Sequence, residues 1–246
     1  MSENETWEQN VCGPGHYDVV GDVHGCLEAL QRLTAIMGYD RHFRHPRRKL
    51  VFVGDLINRG PDSVGVLRAV MELVQTGAGY AVLGNHDDAL LRWLQGPETQ
   101  VKDDMAATIA AISREPDSEA LWSAIETHLA HTPLMLNLDE GRLTVVHAGM
   151  KPGIRERRDP DARRYLLNGE AIGKSPEGKT LRRDWAKTYH DDAFIAYGHT
   201  PVSRAEIRYN TINLDTGAAR GRLLSALRWP EKTTVSVPAP HDTPQG

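Results

Sequence analysis

Short apolar runs alternate with longer amphipathic ones from residue 17 to residue 227. Tyr17 to Gly21 (YDVVG), Leu50 to Val53 and Tyr80 to Leu83 have the length of buried strands. A helical pattern comes after each. Leu27, Leu30, Leu33, Ala35 and Met37 mark a helix over 27–37, Ser63 is placed to cap a helix running to about Gln75, and a third spans about Asp87 to Leu94. Residues 103–130 read as helical, broken near Pro116, and are expected to form a small cap. After Pro133 the pattern shortens to strands at Leu134–Leu138, Leu143–Val146, Phe194–Tyr197, Ala205–Ile207, Thr211–Leu214 and Leu223–Leu227. A βαβαβα half joined to a β-rich half predicts an α/β fold, a four-layer α/β/β/α sandwich of two mixed sheets.

Residues 1–16 read as a polar lead ending in the breaker Gly13-Pro14-Gly15. Residues 230–246 hold four of the fourteen prolines and read as a C-terminal surface segment, leaving 17–229 as the domain, with 103–130 inserted in it. Composition changes this picture little: 40% hydrophobic and 25% charged residues are ordinary for a globular protein. The net charge of −4 gives no global field for nucleic acid. The run Arg41 to Lys49 (RHFRHPRRK) is a local exception, read either as a solvated loop or as a polyphosphate or RNA contact. No apolar run reaches the ~18 residues of a membrane span. The start MSENETWEQN is unlike a secretory signal, and Cys12 and Cys26 have neither disulfide nor metal-site spacing. A cytoplasmic location, with no membrane association and no obligate protein partner, is expected.

The chemistry lies in the loops at the strand ends. The clusters are Gly21-Asp22-Val23-His24-Gly25, Gly54-Asp55-Leu56-Ile57-Asn58-Arg59-Gly60, Gly84-Asn85-His86-Asp87, His147-Ala148-Gly149 and Gly198-His199-Thr200-Pro201. Any one of them alone would be an ordinary turn. Five at strand ends share one ligand chemistry, at the edge where open α/β sheets bind ligands. Asp22 and His24, two apart on an extended segment, can face one ion. Asp55 is the natural bridging carboxylate, and Asn85, His147 and His199 add an amide oxygen and two imidazoles. Oxygen and imidazole without thiolate suits manganese, nickel, iron or zinc. Two divalent metal ions sharing a carboxylate sit ~3.5–4 Å apart, as in two-metal phosphoryl transfer, and activate a water. His86, directly after Asn85, suits a general acid, and Arg59 offers a fork for phosphate oxygens. Cys26 reads as a small buried residue in preference to a thiol activated at a helix start. His16, His42, His45, His128, His131, His190 and His241 read as surface or packing residues.

On the signatures GDVHG, GDLINRG, GNHD, HAG and GHTP the chain resembles the calcineurin-like metallophosphoesterases of phosphoprotein-phosphatase type. Within them it is most similar to the bacterial asymmetrical bis(5′-nucleosyl)-tetraphosphatases of the PrpE type. That finer likeness is carried by Gly25-Cys26, Arg182-Arg183-Asp184-Trp185, Thr211 to Gly217 (TINLDTG) and Thr234 to Pro238 (TVSVP). It covers roughly residues 17–238. The phosphatase domain of bacterial RNA-repair polynucleotide kinase–phosphatases is also similar. The resemblance implies Asp22, His24 and Asp55 on a first metal, and Asp55, Asn85, His147 and His199 on a second. It implies Asp215 near the first, His86 as acid, Arg59 as phosphate clamp, and Arg182 or Arg183 on a distal phosphate. The implied activity is hydrolysis of a nucleotide or other phosphorylated substrate, with diadenosine tetraphosphate cut to ATP and AMP.

One position departs from the family: Asn58 stands where an Asp usually partners the acid histidine. An amide oxygen can orient His86 but supplies no charge, which favours neutral imidazole and suits phosphoanhydrides, whose leaving groups need less proton help. The alternatives are a nucleic-acid-end phosphatase or 2′,3′-cyclic phosphodiesterase acting on an RNA end, a serine/threonine protein phosphatase, and a metal-bound scaffold without turnover.

Overall fold

The computed structural model describes residues 6–96, 101, 103–176, 178 and 180–240. The outer parts of both flanking segments, including His241, lie outside the described residues. The period of two sets the layers. In β2 (Tyr17–Val20), Tyr17 and Val19 face one way, Asp18 and Val20 the other, and all four are buried. β3 (Lys49–Phe52) lies parallel to β2 with Val19 opposite Val51 and Val20 opposite Phe52, and β4 (Gly79–Ala81) lies parallel to β3. β12 (Leu223–Trp229) and β13 (Thr233–Pro238) complete this five-stranded sheet in the order β13-β12-β2-β3-β4.

The second sheet has six strands. They are β1 (Glu8–Asn10), β5 (Met135–Leu138), β6 (Leu143–Val146), β9 (Phe194–Tyr197), β11 (Thr211–Asn213) and β10 (Ile207–Arg208), in that spatial order. Between the sheets lie Val19, Val51, Val53 and Leu227 from one and Leu136, Leu138, Leu143, Val145, Phe194 and Ile212 from the other. Val20, Leu50 and Phe52, on the opposite face, share a core with Leu30 and Leu33 of α1 (Leu27–Ile36) and Leu67 and Val70 of α2 (Ser63–Gln75). Val146 and Ile195 do the same with Leu166 of α6 (Pro160–Asn168) and with Trp185. The result is the expected four-layer α/β/β/α sandwich of two mixed sheets. Among the described residues no helix is long and apolar enough to cross a membrane.

The insert folds as two helices, α4 (Asp103–Ser113) and α5 (Ser118–His131), separated by a turn around Pro116. α5 packs on α3 (Asn85–Gln95), where Trp93 and Trp122 meet with ring centroids 5.6 Å apart. α4 packs on α2.

The structure departs from the sequence reading in both flanks. Glu8–Asn10 is strand β1, parallel to β5 with Glu8 opposite Met135. An edge strand needs backbone donors and acceptors but no apolar pattern, so its polar residues concealed it. Thr233–Pro238 is strand β13, antiparallel to β12, not a surface tail. Its Val235 and Val237 alternate with polar positions, and Pro238 sits at its end. α6 was legible in retrospect, because Asp159 caps it and Pro160 opens it. The hairpin of β7 (Ala171–Lys174) and β8 (Thr180–Arg182) has an exposed surface and no core signal. Asp62, not Ser63, caps α2, accepting from Gly65 N at 2.7 Å.

A buried ionic knot ties the amino ends of the strands. Asp18, fully buried, accepts from Arg48 at 2.9 Å, Tyr39 Oη at 2.9 Å and Arg228 Nε at 3.2 Å, and Arg48 reaches Glu231 at 2.9 Å. Arg44 pairs with Glu72 at 3.1 Å. The basic run 41–49 therefore sits at the strand ends opposite the ligand-bearing loops. Removing one partner strands a buried charge, which typically costs about 3–5 kcal/mol. Asp18→Ala is expected to lower unfolding stability in urea by that order, with its m-value unchanged; a loss under about 1 kcal/mol would count against the knot.

Candidate metal centre

β2, β3 and β4 run parallel, as do β6, β9 and β11. Asp22 and His24 come after β2, Asp55 after β3, Asn85 after β4, His147 after β6, His199 after β9 and Asp215 after β11. The two parallel triplets thus deliver every candidate ligand to one edge of the sandwich. Backbone bonds lace these loops together: His24 N to Asp55 O at 2.9 Å, Gly25 N to Leu56 O at 2.8 Å and Gly198 N to His147 O at 2.8 Å. Asp87, whose place in GNHD the sequence left without a role, accepts from Leu56 N at 3.0 Å and Gly84 N at 3.2 Å and clamps the β3 and β4 loops.

The backbone is strained where the chemistry is. His24, Asp55, Asn58, Arg59 and His199 all have positive φ, from 45° to 72°. Each such residue costs on the order of 1–3 kcal/mol, and such strain gathers at functional sites. Two glycines are required by close approach: a methyl group at Gly84 would overlap Asp55 N and Oδ1, and one at Gly198 would overlap Asp22 Oδ1.

The histidines are aimed by their second nitrogens. His24 Nδ1 lies 2.9 Å from Ile57 O, and His147 Nδ1 lies 2.9 Å from Val53 O. Each Nδ1–H donates to a carbonyl, leaving the Nε2 lone pair facing inward. His24 Nε2 and His147 Nε2 each approach an oxygen of Asp55 at 3.5 Å, one on either side of the carboxylate. Asn85 Oδ1, His147 Nε2 and His199 Nδ1 converge at 2.7, 3.0 and 3.1 Å from one another. Acceptor atoms this close repel unless a cation lies among them. Roughly 3 Å is the ligand–ligand edge expected for bonds of about 2.1 Å to a divalent metal. The donor set therefore fits two cations sharing Asp55.

Electrostatics agrees. Burial, then the charges of Asp215 and Asp55, raise the Asp22 pKa well above the usual range. Burial pushes Asp55 up to about 7 and Asp215 up to about 6. Burial lowers His24, and brings His147 down to about 4, so these imidazoles are neutral, the form that can bind a cation. Asp215 Oδ1 accepts from Gly217 N at 3.0 Å beside this group.

His86 stands edge-on to His24, ring centroids 4.9 Å apart, and one of its nitrogens lies within ligand distance of His24 and Asp55. Its Nδ1 faces Asn58 at 2.9 Å, and here the structure departs from expectation. The Asn58 amide presents its Nδ2 to His86, because Thr108 Oγ1 donates to Asn58 Oδ1 at 2.7 Å. Donation from Asn58 to Nδ1 places the imidazole proton on Nε2. Arg59 Nη1 lies 3.4 Å from His24 Nε2. Arg182 is half-buried, donates to Asn168 O at 2.7 Å, and is close enough for its charge to lower His147 and His199. Arg183 is instead paired with Glu170 at 3.0 Å. Trp185 packs on the HAG loop, its Nε1 donating to Ala148 O at 3.1 Å. Cys26 is buried, with its thiol pushed up to about 11, which excludes an activated thiolate.

The calcineurin-like phosphoesterase family model matches residues 16–221, and the chain belongs to that family of metal-dependent phosphoesterases. An asymmetrical bis(5′-nucleosyl)-tetraphosphatase PrpE from Geobacillus thermodenitrificans is 41% identical over 92% of this chain and 96% of its own length. Its counterpart from Anoxybacillus flavithermus is 40% identical over 91% and 94%. Among solved structures, one described as "a putative diadenosine tetraphosphatase" superposes with a TM-score of 0.68 at 26% identity, covering 96% of this chain and 99% of that one. A cold-active protein-tyrosine phosphatase from Shewanella (TM-score 0.60, 16% identity, 95% and 83% coverage) shares the fold.

Two measurements check the centre. Cation binding requires the carboxylates deprotonated, and Asp55 is pushed up to about 7. Binding should therefore weaken as pH falls through that value and release protons. Calorimetry at pH 6.5 in buffers of different ionisation enthalpy detects the release; proton uptake would contradict the assignment. Gly198→Ala, which displaces Asp22, is expected to weaken manganese binding by about 10–100-fold while leaving the fold intact by circular dichroism.

Proposed function

We propose that the chain hydrolyses dinucleoside polyphosphates asymmetrically, releasing ATP and AMP from diadenosine tetraphosphate, with two divalent cations, manganese first and nickel, iron or zinc as alternatives. The observation that carries the reading is the closure of one ligand set around Asp55, with His24 on one of its oxygens and His147 on the other. The relatives that cover nearly the whole chain point to the same substrate. Asp22, His24 and Asp55 would hold one cation, with Asp215 beside it, and Asp55, Asn85, His147 and His199 the other. When bound, the cations supply Lewis-acid polarisation of a phosphoryl oxygen and an activated water.

The remaining work falls to side chains. Arg59 has the fork geometry to hold two oxygens of the transferred phosphoryl group, and Arg182 can meet a phosphate further along the chain. His86, with its proton on Nε2, donates to the departing oxygen. A neutral imidazole is a weak acid, sufficient for a nucleotide leaving group and poor for a serine alkoxide. An RNA-end substrate is the weaker reading, because Arg41–Lys49 lies away from the centre. A cytoplasmic location suits a nucleotide substrate.

The test is metal-free protein reloaded separately with manganese, nickel, iron or zinc. It is assayed on diadenosine tetraphosphate, a 2′,3′-cyclic nucleotide and a serine phosphopeptide, with products separated by chromatography. ATP plus AMP is expected; two ADP, or turnover of the phosphopeptide alone, refutes the proposal. His86→Ala should lower kcat by about 10²–10⁴-fold on diadenosine tetraphosphate and markedly less on an aryl phosphate whose leaving group needs no proton.

A further inference from the structure

Asn58 leaves His86 without a carboxylate from its own loop, and the fold brings one from the helical insert. Asp104 lies in the first turn of α4, with Oδ1 accepting from Met105 N at 2.9 Å. Its Oδ2 stands 3.5 Å from Arg59 Nε and 3.9 Å from His86 Nδ1. One turn further on, buried Thr108 bonds Asn58 Oδ1 at 2.7 Å, across 50 residues of chain, and approaches Ser63 Oγ at 3.3 Å. Ser63 Oγ in turn accepts from Asn58 N at 2.9 Å. α4 is thus joined to the Asn58-Arg59 loop at three side chains.

We propose that Asp104 is a positioning residue for the reaction: it supplies from α4, beside Arg59 and His86, the negative charge missing at position 58, and holds Arg59 in its working orientation. The inference rests on the proposed function, in which Arg59 and His86 act on the substrate. Its physical basis is the division of the guanidinium. Asp104 engages Nε, while Nη1 sits beside His24 at the cation site, so the terminal nitrogens stay available for phosphoryl oxygens. The carboxylate lies on the Nδ1 side of His86, opposite in the ring to the Nε2 that carries the transferable proton. Both contacts are only partly buried, and as ground-state ion pairs they would contribute little to stability. Their effect lies in orientation, where displacements near 1 Å can cost on the order of 100-fold in rate. Asn58 and Thr108 fix where α4 sits, so the insert is part of the catalytic apparatus as well as a cover.

The experiment compares the parent, Asp104→Asn, Asp104→Glu, Asn58→Asp and the Asp104→Asn/Asn58→Asp pair, in manganese-loaded full-length protein with diadenosine tetraphosphate. Asp104→Asn is expected to lower kcat by about 10–100-fold with a smaller change in KM. Asp104→Glu should stay within a few-fold of the parent. The paired variant should recover at least tenfold of the lost kcat, because it returns a carboxylate to the position that faces His86 Nδ1. Unchanged kcat in Asp104→Asn overturns the inference. So does equal loss in Asp104→Asn and Asp104→Glu, or a loss that Asn58→Asp does not recover, either of which reduces Asp104 to a packing contact. Arg59→Ala and His86→Ala run alongside: full turnover in both would sink the parent reading. Loss in both with none in Asp104→Asn sinks this inference alone.

Discussion

Three carboxylates, Asp22, Asp55 and Asp215, are buried together at one edge of the sandwich; burial makes each harder to ionise, and the charge of Asp55 adds to this for Asp22 and Asp215. Burying like charges is costly unless positive charge is placed among them. Among the described residues no arginine or lysine forms an ion pair with any of the three; the side chains nearest Asp55 are the neutral imidazoles of His24 and His147, each with its Nε2 turned toward the carboxylate. Such a cluster has the donor chemistry of a coordination shell for cations. The rest of the site is a consequence of this constraint: the inward Nε2 atoms of His24 and His147, the carbonyls that orient them, and the glycines that let Asp22 and Asp55 approach.

Holding that shell requires the loops to be stiff, and the stiffness comes from the sheets. Two parallel triplets of strands end at the same edge, and main-chain bonds between neighbouring loops, together with Asp87, fix their spacing. The positive φ values of His24, Asp55 and His199 persist because neighbouring backbone over-determines them. At the far end of the same strands, the Asp18–Arg48–Arg228 knot uses the basic residues structurally. Arg48 of the basic run is consumed there, and the run as a whole lies at the end of the strands away from the candidate metal centre.

The departure at Asn58 connects the site to the insert. An amide has both a donor and an acceptor, so it can bond Thr108 with one end and His86 with the other. A carboxylate at that position offers only acceptors. The substitution therefore does more than remove a charge: it reverses the bond to the acid, since the amide donates to His86 Nδ1 where a carboxylate would accept from it, and it does so where Asp104 stands beside Arg59.

The sequence by itself determined the layers and which residues gather at one edge. The short apolar runs of β2 and β3 and the glycine-flanked clusters after the strands are local patterns, each set by a few neighbouring residues. They were legible for that reason, and the fold brings the residues read from them, Asp22, His24, Asp55, Asn85, His147 and His199, to one edge of the sandwich. Strands β1 and β13 were not, because their pairing depends on the edges that receive them rather than on their own pattern. Nor were Asp104 and Thr108, which lie in a stretch legible only as helical. Only the packing of α4 on α2 turns them toward Asn58 and Arg59. Arg183 shows the reverse: adjacent to Arg182 in sequence and equal in charge, it is turned by the β7–β8 hairpin toward Glu170. Ligand identity comes from residue type and spacing; the orientation of the groups around the ligands is decided by contacts between elements far apart in the chain, which a linear pattern does not encode.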